Sequence, residues 1–335
     1  PQNLQSDLSK HDVIFKPNPG PQTEFLAATE REVFYGGPLT LDTKVVTVGG
    51  YKNLEDIKVG DYVGAPEGCF TEVTDVPFQG NEYCYDVEFN DGTVVTASAG
   101  HKWCVGTRDW FKTNYPWRIK HTNELLDFRG NKRNKYCIPK NQPINWSENT
   151  HIISPYIMGV LLGDGCVTHR TRITITNIDQ EIIDRVTEEC PDTYRANRIK
   201  GTIQYKITRK GYGYGHKPNV IYTEVDRLNL LGSNSFTKFI PKEYLFDSFD
   251  NRVDLLKGLM DTDGTVRKQE YKRGAEAKYS TVSENLKDDF IFLCQSLGFR
   301  VTWYSEISGT NKDIYRVIIN GPVNPFHISR KAEKY

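Results

Sequence analysis

The chain has 335 residues, 38% hydrophobic and 26% charged, and its 43 basic and 43 acidic side chains leave a formal net charge of zero. That balance describes a globular chain with room for two or three domains and gives no overall pull towards nucleic acid or membrane. No run approaches the roughly 18–20 apolar residues of a membrane span, no secretory leader opens the sequence, and the seven cysteines are scattered without a C-x-x-C pair. The expectation is a reducing, cytoplasmic setting with no zinc site or disulfide framework.

Residues 1–37 carry Pro17, Pro19 and Pro21, then Gln22–Phe34, which reads as a helix or turn leading into a strand, and end at Tyr35-Gly36-Gly37. Residues 38 to about 145 alternate apolar and polar in short runs. Strands are expected at Lys44–Val48, Tyr62–Gly64, Tyr83–Phe89 and Thr93–Ala97, with Asn90-Asp91-Gly92 as a hairpin turn between the last two. From about 146 onwards the order helix, strand, strand, helix, strand, strand occurs twice, over about 154–245 and 250–335. Asp179–Cys190 and Ser283–Leu297 are the amphipathic helices of the two copies. The fold class is therefore multidomain: an all-β region, then a duplicated α+β region.

The duplication carries the chemistry. Ile157–Gly165 and Leu256–Gly264 are both apolar, helix-like runs with glycine at the third position, and both end in Asp-Gly. Packed side by side through Gly159 and Gly258, the two helices would bring Asp164 and Asp263 together. Two converging carboxylates suit a hard divalent cation, and such sites serve phosphodiester cleavage. Basic residues follow each motif: His169, Arg170 and Arg172 after the first, Arg267, Lys268, Lys272 and Arg273 after the second. A longer stretch has Arg195, Arg198, Lys200, Lys206, Arg209, Lys210 and Lys217 with tyrosines interleaved and no acid. On strands flanking a cleft, these groups would track phosphates.

Residues 154–335 resemble the two-repeat, single-chain LAGLIDADG homing endonucleases. Lys238-Phe239-Ile240-Pro241 looks like the K-x-I-P segment before the second motif of intein-borne members, and Tyr279-Ser280-Thr281-Val282-Ser283 like their strand-to-helix segment. The resemblance implies Mg²⁺-dependent double-strand cleavage of DNA. It places Asp164, Asp263, Gly163 and Thr262 at the metal, and Lys238 beside it as a basic residue that would stabilise transition-state charge or orient water. The partner would be double-stranded DNA, the intein-less host-gene site, bound by a monomer. The alternative is a decayed domain that binds without cutting; retention of both Asp164 and Asp263 argues against it.

Pro38–Thr47, Lys52–Val63 and Ser98-Ala99-Gly100-His101 resemble, in the right order, the opening blocks of an intein, the self-splicing Hint fold. The resemblance gives roles to both sides of the Gly37–Pro38 bond. His101 would protonate the departing amide nitrogen and Ser98 would hold the distorted amide. Pro38 has no nucleophile. With Trp103 two residues after His101, it points to the intein class that lacks the first nucleophile and uses an internal cysteine. Cys104 is adjacent but not at that class's position. The closing His-Asn block is absent from the sequence, so an incomplete Hint domain is expected, with a C-terminal intein segment possible on another chain. Residues 16–37 resemble the start of a phage terminase large subunit, whose Tyr-Gly-Gly opens a phosphate loop. The implied setting is a bacterial or phage-infected cell.

Overall fold

The structure, a computed structural model, describes residues 39–76, 81–89, 93–107, 117–128, 136–139, 142–168, 173–210, 219–268, 275–307 and 312–335. The 1–37 flank, Gly37, Pro38, the Asn90–Gly92 turn, His169, Arg170, Arg172, Lys217, Lys272 and Arg273 lie outside the described residues.

The N-terminal half is built of short antiparallel strands. The strands β1 (Lys44–Thr47), β2 (Gly50–Asn53), β3 (Tyr62–Gly64) and β4 (Phe70–Glu72) form one sheet in the order β2-β1-β3-β4. A second pair is β5 (Cys84–Glu88) and β6 (Val94–Ser98), in register from Cys84↔Ser98 to Glu88↔Val94. A third sheet takes β7 (Lys102–Thr107) between β8 (Arg118–His121) and β9 (Tyr136–Cys137). The four expected strands agree with β1, β3, β5 and β6 to within a residue at each end. The strands β2, β4, β7, β8 and β9 carry no clear signal in the sequence because they are short or have polar residues on both faces.

The C-terminal half repeats one unit. Its first copy runs α1 (Pro155–Asp164), β10 (Gly165–Cys166), β11 (Thr174–Thr176), α2 (Gln180–Glu189), β12 (Tyr194–Arg198) and β13 (Gln204–Arg209). Two helices follow, α3 (Val220–Arg227) and the short α4 (Lys242–Leu245). The second copy runs α5 (Phe249–Asp263), β14 (Gly264–Lys268), β15 (Ala275–Thr281), α6 (Glu284–Ser296), β16 (Arg300–Ile307) and β17 (Asp313–Asn320), closed by α7 (Ser329–Ala332). The sheets have the same topology, β10-β11-β13-β12 and β14-β15-β17-β16.

Local chemistry sets the helix starts. Ser154, Ser248 and Ser283 cap α1, α5 and α6, each hydroxyl accepting from the backbone N–H three residues on. Pro155 occupies the first turn of α1, where its missing N–H costs nothing. Tyr156 to Leu162 are all buried, as a helix apolar on every side must be. None of the helices among the described residues is long and apolar enough to cross a membrane.

The two halves meet at Trp146. Its indole N–H donates to the Thr47 carbonyl at 3.1 Å, and its ring packs between Phe70 on one side and Phe246 and Phe292 on the other. The fully buried Arg252 lies over that ring at 4.7 Å. Its guanidinium donates to the Asp247 carbonyl, the Ser296 hydroxyl and the Ile144 carbonyl. Burial pushes its pKa down to about 10.

Candidate active site

Helices α1 and α5 touch backbone to backbone. A Cβ on Gly159 would sit 2.4 Å from the Leu255 carbonyl oxygen and 2.9 Å from the Gly258 Cα. One on Gly258 would sit 2.3 Å from the Tyr156 oxygen. One on Gly163 would overlap the Thr262 hydroxyl and lie 3.3 Å from an Asp263 carboxylate oxygen. The small residues thus let both helix C-termini converge, and both carboxylates come to one place.

That place is electrostatically tense. Burial raises the Asp263 pKa and the Asp164 charge raises it further, to about 6, against the pull of Lys238 and Lys331. Burial also raises Asp164. There the Asn177 amide, donating at 2.5 Å, and the two lysines oppose it. Two buried carboxylates whose pKa values are both raised, one of them partly by the other's charge, fit a divalent cation, whose charge would stabilise both ionised forms. Among the described residues no three His, Cys, Asp or Glu side chains converge on one metal position. A pair of carboxylates suits a cation such as Mg²⁺, which keeps waters and takes phosphate oxygens.

Lys238 is not a surface lysine; it is 6% exposed. Its ammonium donates to the carbonyls of Leu161, Leu162, Gly163 and Gly165, at 2.8–3.2 Å. It caps the C-terminus of α1, the negative end of that helix. Burial lowers its pKa, and Asp263 and Asp164 hold it up. Lys331, absent from the sequence reading, does the same for the other helix. It donates to the carbonyls of Met260, Asp261 and Thr262 at 2.9, 2.6 and 3.4 Å. Burial and the neighbouring Arg330 charge bring its pKa down to about 8. No K-x-I-P segment marks Lys331, so only the repeat logic could have prompted a search for it.

The C-terminal segment is held in place by carboxylates. Buried Asp261 accepts from the backbone N–H groups of His327 and Ile328 and from the Tyr156 hydroxyl. Arg330 pairs with Asp179 at 2.6 Å, and Ser329 donates twice to Glu181. These contacts tie the second repeat's tail to the first repeat's α2 and set Lys331 against α5.

The sheet pleat divides the basic residues. In the first sheet Ile175, Tyr205, Ile207 and Tyr194 are buried on the helix side. Registers Asn197↔Lys206 and Arg195↔Thr208 put Arg195 and Lys206 on the opposite face. Arg198 and Arg209 pair with Tyr205 and Tyr194, on the helix-side alternation, although both are exposed; Arg198 donates to the Thr202 carbonyl. Lys200 and Lys210 are exposed at the strand ends. In the second sheet Arg267 is exposed, and Lys268 ends β14. Registers Arg267↔Glu276, Thr265↔Lys278 and Tyr304↔Arg316 add Lys278 and Arg316 to the same face, both missed in the sequence because they stand alone between apolar neighbours.

Residues 250–324 match the family model for a LAGLIDADG-like domain. The Replicative DNA helicase DnaB of Mycobacterium intracellulare is 29% identical over 89% of this chain and 49% of its own length. That of Synechocystis sp. is 29% identical over 49% of this chain and 20% of its own. The chain thus spans half or less of these curated relatives. Solved structures similar to it include the homing endonuclease I-DmoI in complex with DNA and Mn (13% identity, TM-score 0.33, 50% of this chain, 89% of that one). Another is I-WcaI bound to its DNA recognition sequence (15%, TM-score 0.32, 56% of this chain, 88% of that one). These relatives are helicases, so they lend the terminase flank no support.

Upstream of the two repeats, the splicing candidates gather at one turn. Leu39 forms an antiparallel bridge with Ala97, bringing the residue after Pro38 beside the end of β6. Ser98 follows there, fully buried, and its hydroxyl has no partner among the described residues. The His101 N–H donates to the Ser98 carbonyl at 3.1 Å. The His101 ring meets Trp103 edge-on at 4.7 Å, and the Trp103 indole N–H donates to the Thr122 hydroxyl at 2.9 Å. Cys104 is partly buried on β7.

Proposed function

We propose that this chain is an intein-borne, site-specific double-strand DNA endonuclease joined to a Hint-like splicing region. The observation that carries the nuclease reading is the convergence of Asp164 and Asp263 at the glycine-lined contact of α1 and α5. Asp164 and Asp263 would hold Mg²⁺, with Gly163 and Thr262 at the same helix ends. The cation when bound supplies an activated water and stabilisation of the leaving 3′ oxygen. Lys238 and Lys331 hold the two helix termini by their carbonyls and place positive charge behind each carboxylate. Arg195, Lys206, Arg267, Lys278 and Arg316 line the sheet faces that would follow the DNA backbone and grooves.

In the splicing region His101 would protonate the amide nitrogen leaving at Gly37–Pro38. Ser98, with an unused buried hydroxyl beside Leu39, would hold that amide. Trp103, oriented by Thr122, packs on His101. The helicase relatives favour a helicase gene as host over the terminase suggested by the flank.

The test is cleavage with Mg²⁺ of two DNAs, each joining the codons for Tyr35-Gly36-Gly37 to the continuation of a phosphate loop, one of helicase and one of terminase type. A double-strand cut at either junction, lost in Asp164→Asn and Asp263→Asn with binding retained, is the expected result. Full cleavage by either variant overturns the metal assignment. Binding without any cut supports the decayed-domain reading.

A further inference from the structure

The two repeats share a register at the strand that pairs with the residue after each carboxylate. Gly165 pairs with Ile175 in the first, and Gly264 pairs with Tyr279 in the second. Each glycine directly follows its aspartate, so Ile175 and Tyr279 occupy equivalent positions. One is a hydrocarbon. The other carries a hydroxyl.

Tyr279 is fully buried, and its ring stacks on Phe290 at 4.0 Å and 14°. Its hydroxyl has no hydrogen-bond partner among the described residues. Buried polar groups are almost always satisfied, and an exception calls for a cause. Burial pushes the Tyr279 pKa well up, and after burial the Asp263 charge raises it most, followed by Cys294 and Asp164. The ring alone would serve packing; phenylalanine would fill the same volume. A fully buried O–H at the strand position opposite Gly264 is explained if it has a partner in the working site. No such donor exists at Ile175. There, Asp164 already receives its hydrogen bond from Asn177, whose counterpart Thr281 instead accepts from the Ser283 N–H.

We propose that Tyr279 is a positioning residue for the Asp263 half of the paired site, its hydroxyl donating to the Asp263 carboxylate or to a water that carboxylate holds. This rests on the nuclease reading above. The two halves are then unequal: Asp164 is oriented by an amide from the strand end, Asp263 by a phenol from the strand position paired with Gly264. The two DNA strands would be cut at separable rates.

The experiment uses the full chain and a supercoiled plasmid carrying the cleaved junction, with Tyr279→Phe, Ile175→Val and wild type side by side. Phenylalanine keeps the ring stack and removes only the hydroxyl. Wild-type cleavage establishes the nuclease independently; its failure defeats that reading, not this one alone. With wild type active, Tyr279→Phe is expected to accumulate nicked circles, one strand slowed roughly tenfold or more and the other little changed. Ile175→Val should cut both strands at wild-type rates. A second readout needs no activity: the Ca²⁺ concentration giving half of the thermal shift should rise severalfold in Tyr279→Phe. Its melting temperature without metal should be unchanged or higher, because an unsatisfied buried hydroxyl is gone. Equal slowing of both strands, or an unchanged Ca²⁺ midpoint, overturns the proposal.

Discussion

The first and second repeats share topology, register and cap chemistry, yet they support their carboxylates differently. Helix α1 is apolar all round, whereas α5 carries Asp261 at the position where α1 has Leu162. Lys238 reaches the end of α1 from the segment between the repeats; Lys331 reaches the end of α5 from the chain's last helix. Asp164 has a direct amide partner and Asp263 has none among the described residues. Symmetry therefore holds where the backbone needs it, at the glycine contact and the strand register. It lapses where only charge balance is required, because several arrangements of donors can support a carboxylate.

The sharpest break in that symmetry should come from the glycine contact. Gly258→Leu forces side-chain atoms into the Tyr156 carbonyl, so the helices must separate. A loss of about 3 kcal/mol or more is expected, read from urea midpoints, with DNA cleavage gone. Gly100→Ala, with nothing within 4 Å of the added carbon, is the control and should stay within about 0.5 kcal/mol of wild type. Wild-type stability in Gly258→Leu would mean that α1 and α5 are not in backbone contact.

The next effect concerns the lysines. Lys238→Met strands four carbonyl contacts at the end of α1, and Lys331→Met three at the end of α5. Each variant should lose about 1–3 kcal/mol, with Lys238→Met the larger loss. If the two lysines are equivalent supports, both variants should slow cleavage by a similar factor. A nuclease indifferent to Lys331→Met would make the second repeat's lysine a purely structural cap.

A third effect has the opposite sign. Asp263 has its folded pKa raised to about 6 from 3.8, so the folded state binds this proton more tightly than the unfolded chain does. Its contribution is full below the unfolded value and is lost as pH rises through the folded one. Metal-free Asp263→Asn should therefore be more stable than wild type at pH 7, by about 1–3 kcal/mol, and the gain should vanish near pH 3.8. Denaturant midpoints in chelator at the two pH values decide it. A destabilised Asn variant at pH 7 would place Asp263 in a favourable ion pair instead.

Much of this was legible in the chain because it depends on residue spacing. The paired Gly and Asp-Gly positions, and the helices bounded by Asp179 and Ser283, follow from local chemistry that any copy of the motif repeats. Lys331 and Asp261 were not legible, since their roles arise from contacts made 66 to 71 positions along the chain. Tyr279 read as one strand residue among several until its register with Gly264 was known. The short strands β2, β4 and β7–β9 lack a sustained period, and tertiary pairing defines them. The clusters of basic residues were visible as clusters, but the sequence could not say which members share a face.

That last point yields the smallest effect. If the face opposite the helices follows the DNA, single substitutions should divide by pleat and not by position in the cluster. Lys206→Ala and Arg195→Ala should each weaken binding severalfold and reduce the slope of log affinity against log salt by about 1. Arg209→Ala, three residues from Lys206 but paired with buried Tyr194, should leave the slope unchanged. In the second repeat Lys278→Ala should behave like Lys206→Ala, although no cluster surrounds it. Titrations at several salt concentrations with one target duplex separate the cases. Equal slopes for Arg209→Ala and Lys206→Ala would mean that the DNA path follows the exposed ends of the first sheet and not its open face.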